Sequence, residues 1–254
     1  MTHATKPTMR LDRARWEANL RPAEVAAWAT WLDVAREGAD KDVLDDFSWR
    51  IGQRADVRDK DMYAPYLRGA CPPGSDAHVL DVGAGPLTFF PRSWFTRNYR
   101  VTPVDPLAGE YDKLLAAHRY EPQFRTIPGE AETLVEQFGA DQFHLVFCRN
   151  ALEQCYDPME AIRQMLAVVK PGCWVLLQQE GYRGEEELPR TPWSLEEDDN
   201  DLFLVARDGG GGTDSGERVD LGMAFADVAT LRVSRSWHWP WLLAGLKKEP
   251  TSKL

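Results

Sequence analysis

The segment VLDVGAGPLTFF (79–90) constrains this chain more than any other. A short apolar strand, HVLDV (78–82), runs into Asp81 and then Gly83-Ala84-Gly85 before the next element begins. Glycines at such a turn let the backbone bend tightly and let another group come close. A second strand, VTPVD (101–105), ends on Asp105, twenty residues after Gly85. An acid there can accept two hydrogen bonds from the hydroxyls of a ribose. A single Gly-x-Gly says little. A strand, glycine turn, helix start, strand and acid in that order predict a nucleotide-type site in an α/β fold.

The flanking pattern agrees. From 78 to 180 strands and helices alternate: strands over 78–82, 101–105, 124–129, 143–150 and 173–180, and helices over 86–99 (irregular, because of Pro91), 107–120, 130–139 and 157–172. The last of these has Asp157 as N-cap, Pro158 in its first turn and Gly172 after its end. Regular alternation predicts a doubly wound, mostly parallel Rossmann-like sheet. Residues 1–75 read as a helical cap. Helix 21–38 carries Val25, Trp28, Trp31, Leu32 and Ala35 on one face, with Pro22 in its first turn and Gly38 at its end, and a second helix follows over 43–55. CPPGSD (71–76) is the hinge into a core spanning 76–254. Beyond Glu180 lies an acidic insertion with a Gly-rich turn (181–220), GGGG at 209–212. Residues 201–207, 229–236 and 241–248 read as strands, the late ones an antiparallel pair closing one sheet edge.

A dinucleotide cofactor fits poorly. The third glycine of Gly-x-Gly-x-x-Gly falls at position 88, which is Thr88, and Asp81 beside the turn would repel phosphates. An acid there suits a ligand with positive charge and no phosphate.

Five ordered segments extend this pattern: LDVGAGP (80–86), VTPVDP (101–106), PGEAETL (128–134), FHLVFCRNALEQCYDP (143–158) and VVKPGCWVLLQQE (168–180). Together they resemble the class I S-adenosylmethionine-dependent methyltransferases of small-molecule type, over about 78–248. The resemblance implies S-adenosylmethionine as cofactor and S-adenosylhomocysteine as product; no metal is expected, because the cysteines lack ligand spacing and few histidines lie near them. It implies that Asp81, Gly83, Ala84 and Gly85 line the methionine part, and that Asp105 with Pro106 holds the ribose. It places Glu130 and Ala131 at the adenine edge, and Arg149 and Asn150 near the sulfonium. The implied function is methyl transfer to an oxygen or nitrogen of a small molecule in a biosynthetic or tailoring pathway. The alternatives are a nicotinamide-dependent oxidoreductase and a non-catalytic cofactor-binding regulator.

Many small-molecule members carry a histidine after the fourth strand; this chain has Glu153-Gln154 there. Glu153 is the first candidate for a base and Tyr156 the second. His144 sits early in its strand, His118 ends an exposed helix and His238 lies among aromatics, so all three read as structural or solvated. Trp28, Trp31, Trp49, Arg50, Arg54, Tyr63 and Trp193 are the candidates to line the acceptor pocket. Arg50 and Arg54 share a helix face and could clamp an acidic group, or pair with Asp45 and Asp46.

Composition decides the remaining partners. The chain has 254 residues and a net charge of −10, which disfavours nucleic acid and anionic membranes. The charge is uneven: 184–201 holds eight acids and one base, either a solvated loop or a flap favouring a cationic or amine-bearing acceptor. Eight of the ten tryptophans lie outside 76–180. No stretch reaches the ~20 apolar residues of a membrane span, and the N-terminus has no apolar signal core. The four cysteines lack Cys-x-x-Cys spacing and read as reduced. The expectation is a cytoplasmic monomer or homodimer.

Overall fold

The computed structural model describes residues 10–51, 66, 76–90, 93–94, 97–180, 191–199, 201–207, 214–235 and 241–250. Two helices lead: α1 (Arg13–Glu37) and α2 (Lys41–Arg50). The core continues with β1 (Ala77–Val82), β2 (Ser93–Trp94), β3 (Arg97–Val104), α3 (Ala108–His118), α4 (Leu134–Phe138), β4 (Phe143–Arg149), α5 (Pro158–Val168) and β5 (Val169–Glu180). It ends with β6 (Trp193–Asp198), β7 (Asp201–Arg207), β8 (Asp214–Asp220), α6 (Leu221–Ala224), β9 (Ala229–Arg235) and β10 (Trp241–Lys248).

Among the described residues, seven strands form one sheet in the order β2-β3-β1-β4-β5-β10-β9. β3, β1, β4 and β5 are mutually parallel, and β10 lies antiparallel between β5 and β9. This is the expected doubly wound, mostly parallel sheet. The reversal of strand order between β1 and β4 puts the carboxyl ends of β1, β3 and β4 around one crevice, where ligands of open α/β sheets bind. The parallel strands are apolar on both faces: Val79, Leu80, Leu145, Val146, Val175 and Leu176 are all fully buried.

The structure revises several boundaries. α1 begins at Arg13, so Pro22 lies inside it and not in its first turn. Only one backbone amide is lost there, and the buried Trp16, Leu32 and Ala35 pack the helix down along its length. α2 runs over Lys41–Arg50 because Asp40 caps it, accepting from the amides of Asp42 and Val43. No helix forms among the described residues of 86–99: the chain turns after Gly85, and β3 starts at Arg97. The strand expected over 124–129 is reduced to one bridge, Val104 with Ile127. α5 ends at Val168, and β5 runs from Val169, with Gly172 at φ 77 inside it rather than after the helix. The 130–139 helix is a 3-10 turn, Ala131–Thr133, followed by the short α4.

The insertion after β5 is more ordered than its polar sequence suggests. β6, β7 and β8 make a separate antiparallel sheet, so 201–207 does not join the main one. Two of its acids are answered within the sheet: Glu196 pairs with Arg207 and Asp198 with Arg218. Leu202, Leu204 and Ala206 join the main core cluster, and the Trp193 indole donates to Cys155 O at 2.7 Å.

Lys248 closes the other end of the sheet. Its ammonium, 3% exposed, donates to Asp141 (2.6 Å), Ala167 O (3.2 Å) and Val169 O (3.1 Å), the last two where α5 gives way to β5. A cation suits the negative end of a helix, where carbonyls outnumber their intrahelical donors. Lys248→Met keeps the apolar stem and removes the donor. Chemical denaturation is expected to show a loss of about 2–3 kcal/mol, the cost of leaving the Ala167 and Val169 carbonyls without their charged donor.

Candidate active site

The crevice is organised by Asp105. Its Oδ2 accepts the Gly85 amide at 3.1 Å and its Oδ1 accepts the Leu107 amide at 2.8 Å. One carboxylate therefore ties the glycine turn after β1 to the start of the connection after β3. Both Gly83 and Gly85 hold left-handed conformations, φ 66 and 65. The amides of Gly83 and Ala84 both donate to Val104 O, which fixes the turn against β3. Asp81 is buried under the turn and accepts from the Thr88 hydroxyl at 2.5 Å and the Phe89 amide at 3.3 Å. Thr88, standing where a dinucleotide fold has its third glycine, thus serves to hold Asp81.

The groups closest to the glycines come from the chain itself. A Cβ on Gly85 would lie 2.5 Å from the Trp28 indole, and one on Gly83 would lie 2.2 Å from the Ala151 Cβ. The motif alone assigns these glycines one purpose, close approach of a ligand; the structure adds the packing of α1 and of the turn after β4.

Burial raises both acids of the turn. Desolvation pushes Asp81 up to about 6 and Asp105 up to about 7, against the hydrogen bonds that favour their ionised forms. Glu24 of α1 is raised by burial too, and its charge adds to the rise at Asp105. Glu153, half-buried in the 3-10 turn Leu152–Gln154, is lifted by burial to about 7, with Glu24 again contributing. Four carboxyl groups thus converge on the crevice.

On its other side a cleft of 390 Å³ is lined by Arg13, Arg21, Pro106, Pro128, Gly129, Glu130 and Thr133. This is the space between the predicted ribose and adenine positions. α1 forms one wall: Arg21 donates to Pro106 O at 3.3 Å, and Arg13 bonds Glu130 at 2.5 Å. Glu130 also accepts from the Tyr156 hydroxyl at 3.3 Å. Ala131 opens the 3-10 turn beside it. Tyr156 is buried, edge-on to Trp16 at 5.6 Å and under the Arg13 guanidinium, so the structure sets it at the Glu130 rim. Glu132, absent from the sequence reading, is buried and accepts the amides of Tyr156 and Asp157, fixing the turn into α5. Its signal lay only in its place after Glu130.

The acceptor candidates divide. Trp28, Trp31 and Phe89 surround the Arg50 guanidinium at 5.5, 5.9 and 5.9 Å. Arg50 pairs with Asp46 at 2.8 Å and bonds Leu87 O, the pairing alternative of the sequence reading. Arg149 lies 4.5 Å from the Phe89 centroid and 3.6 Å from Asp46. Burial opposes ionisation of Asp46, but the two arginines prevail and hold its carboxyl below its ordinary value. Asn150 takes a left-handed φ of 49 and its amide donates to Gln178 O, which turns the chain out of β4. Trp49 is buried with its indole on Phe89 O, and Trp193 is buried on Cys155 O; both pack structure rather than face the crevice. Arg54, Tyr63, His238, residues 185–187 and the 209–212 glycines lie outside the described residues. His118 is not solvated as expected: it joins α3 to α1 through Leu114 O and Asp33. His144 has the structural role expected, accepting the His78 amide. Among the described residues no group of three or more His, Cys, Asp or Glu is set to hold a metal, and no helix is long and apolar enough to cross a membrane.

A glycine turn latched by the second-strand acid, at the switch point of a doubly wound sheet, defines a nucleotide-type cofactor fold. Residues 80–177 match the family described as "Methyltransferase domain". The ubiquinone biosynthesis O-methyltransferase of Bordetella parapertussis is 35% identical over 105 residues, 40% of this chain and 42% of that protein. The match thus spans about two fifths of that relative. Among solved structures, the chain is similar to the amino pentose methyltransferase CalS10 of Micromonospora echinaspora (TM-score 0.48, 18% identity, 81% of this chain and 97% of that one). It is also similar to the Burkholderia thailandensis 1,6-didemethyltoxoflavin-N1-methyltransferase (TM-score 0.46, 16% identity, 97% and 93%). Over residues 80–177 the chain is thus similar to a methyltransferase domain.

The raised acids give a pH dependence. Asp81 and Asp105 hold their protons more tightly folded than unfolded, so the folded state binds more protons between about pH 4 and 7. The ligand-free protein is therefore expected to lose stability as pH rises across that window, by at most about 1.4 kcal/mol per group for each pH unit crossed. Urea denaturation at stepped pH checks this, and Asp105→Asn should flatten the slope.

Proposed function

We propose that this chain is an S-adenosylmethionine-dependent methyltransferase acting on an oxygen or nitrogen of a small-molecule acceptor. The observation that carries the reading is the Asp105 latch on Gly85 within a crevice rich in carboxylates. The donor set fits this cofactor. Buried acids beside the turn repel phosphates, yet suit a ligand with a sulfonium, an ammonium and two ribose hydroxyls. Each Asp105 oxygen, already oriented by one backbone amide, keeps lone pairs for those hydroxyls.

In this reading Asp81 and residues 83–85 hold the methionine end, Asp105 and Pro106 the ribose, and Glu130 and Ala131 the adenine. Bound S-adenosylmethionine supplies a methyl group on a positively charged sulfur. The chain's part is to place the acceptor in line with that carbon, exclude water and take a proton. α1 and α2 are the cap that excludes water. Glu153 is the base: with its proton held near neutrality, it can accept one from a hydroxyl or an ammonium while the acceptor atom forms its new bond. Arg149 and Asn150 close the sulfonium side, and Arg50, Trp28 and Trp31 shape the acceptor side. The O-methyltransferase relative supports an oxygen acceptor in a biosynthetic pathway.

The nicotinamide reading is disfavoured by Asp81 and by Thr88, whose side chain is spent on Asp81. The acidic stretch now gives less support to a cationic acceptor, since Glu196 and Asp198 have arginine partners.

Labelled methyl transfer to a panel of phenols, catechols, amino sugars and heterocyclic amines tests the function. Glu153→Gln is expected to lower kcat by about 10²–10⁴-fold for a hydroxyl acceptor. Its affinity for S-adenosylhomocysteine should stay near the parent's. Full turnover with an unaltered pH profile would remove Glu153 from the chemistry.

A further inference from the structure

The cleft beside the Asp105 latch takes one wall from α1, which brings it Arg13 and Arg21. Eight residues separate the two, about 12 Å of helix axis, so their guanidiniums border the cleft at two separate points. Both cations are answered. Arg13 pairs with Glu130 and Glu17. Arg21 Nη2 lies 3.6 Å from Glu110 and donates to Pro106 O at 3.3 Å. A cleft balanced in this way offers little to a free anion. Its other walls include Pro106, Pro128 and Thr133, two rigid apolar rings and a hydroxyl. Its volume of 390 Å³ stands at the small end of ligand-sized clefts, which run from about 300 to 1,000 Å³. Planar cations, apolar rings and polar edges together suit a flat, neutral, nitrogen-rich ring.

We propose that Arg21 is the stacking plane for the purine of the bound cofactor. The inference rests on the reading of the crevice as the S-adenosylmethionine site, in which Glu130 and Ala131 meet only the edge of the base. An edge contact selects the base; a contact on its face fixes where the ring lies and shields it from water. Arg21 is placed for that second task. Its tether, Pro106 O, belongs to the residue after Asp105, so the guanidinium stands at the sugar end of the base. One third of its side chain is open to solvent (33%), which leaves surface for a ring to cover. A guanidinium is planar, delocalised and weakly hydrated, and it gives up little on meeting an aromatic face. A lysine ammonium is a compact, strongly hydrated charge without that plane. No strand or glycine of the crevice supplies this group; α1 does, from a position outside every motif of the core.

Calorimetric titration with S-adenosylhomocysteine, comparing the full chain with its Arg21→Ala and Arg21→Lys variants, tests this. Arg21→Ala is expected to weaken binding about three- to thirtyfold, the span of a cation–aromatic contact from exposed to desolvated sites. Arg21→Lys keeps the charge and a donor for Pro106 O, and it should recover only part of that loss. Parent-like affinity in Arg21→Ala, or full recovery in Arg21→Lys, would overturn the stacking role. Hydrogen–deuterium exchange separates stacking from docking of the helix. Ligand-free Arg21→Lys should match the parent along α1; faster exchange there would assign its weaker binding to undocking and overturn the proposal as well. A parent that binds no S-adenosylhomocysteine removes the cofactor reading itself, and this inference with it.

Discussion

The Asp105 carboxylate holds two backbone amides from two different connections, those of Gly85 and Leu107. Everything else at the crevice depends on that double acceptance. It sets the end of β3 beside the turn after β1, so two parallel strands present one continuous rim. It also fixes an ionisable group in a place where water cannot reach it well. Burial then raises the carboxyl to about 7, and Asp81 under the same turn to about 6. The latch thus costs electrostatic free energy that a cationic, hydroxyl-bearing ligand would return.

α1 supplies the second half of the site. The core sheet offers a crevice open to solvent; the helix crosses it and contributes a wall to the cleft between Pro106 and Glu130. It is held by polar contacts at Arg13 and Arg21, by the buried Trp16 against Tyr156, and toward its C-terminal half by Leu32 and Ala35 packing with Phe47 and Leu87. The inserted β6–β8 sheet is different in kind, since Leu202 and Leu204 are fully buried in the main core.

Much of the core was legible because its signals are local. Gly83, Gly85 and Asp105 fall where the turn and strand need them, and β1, β4 and β5 are apolar runs with clear ends. The misread parts depend on tertiary partners. Pro22 reads as a helix start, yet packing of Trp16 carries the helix through it. Residues 124–129 look like a strand, but only Ile127 finds a pairing neighbour. β6 has an acidic sequence because its cross-strand arginines are distant in the chain. Arg21 was invisible for the same reason: on a helical wheel it is a polar residue, and only the docked helix brings it to Pro106.

One location for the cofactor, between the Asp105 latch and the inner face of α1, underlies every role assigned to these residues. Hydrogen–deuterium exchange with and without S-adenosylhomocysteine tests that location directly. Binding there predicts slowed exchange at residues 83–85, 105–107 and 129–131, and along α1 from Arg13 to Trp28. Slowed exchange confined to other parts of the chain, or no change at a saturating concentration, would contradict it.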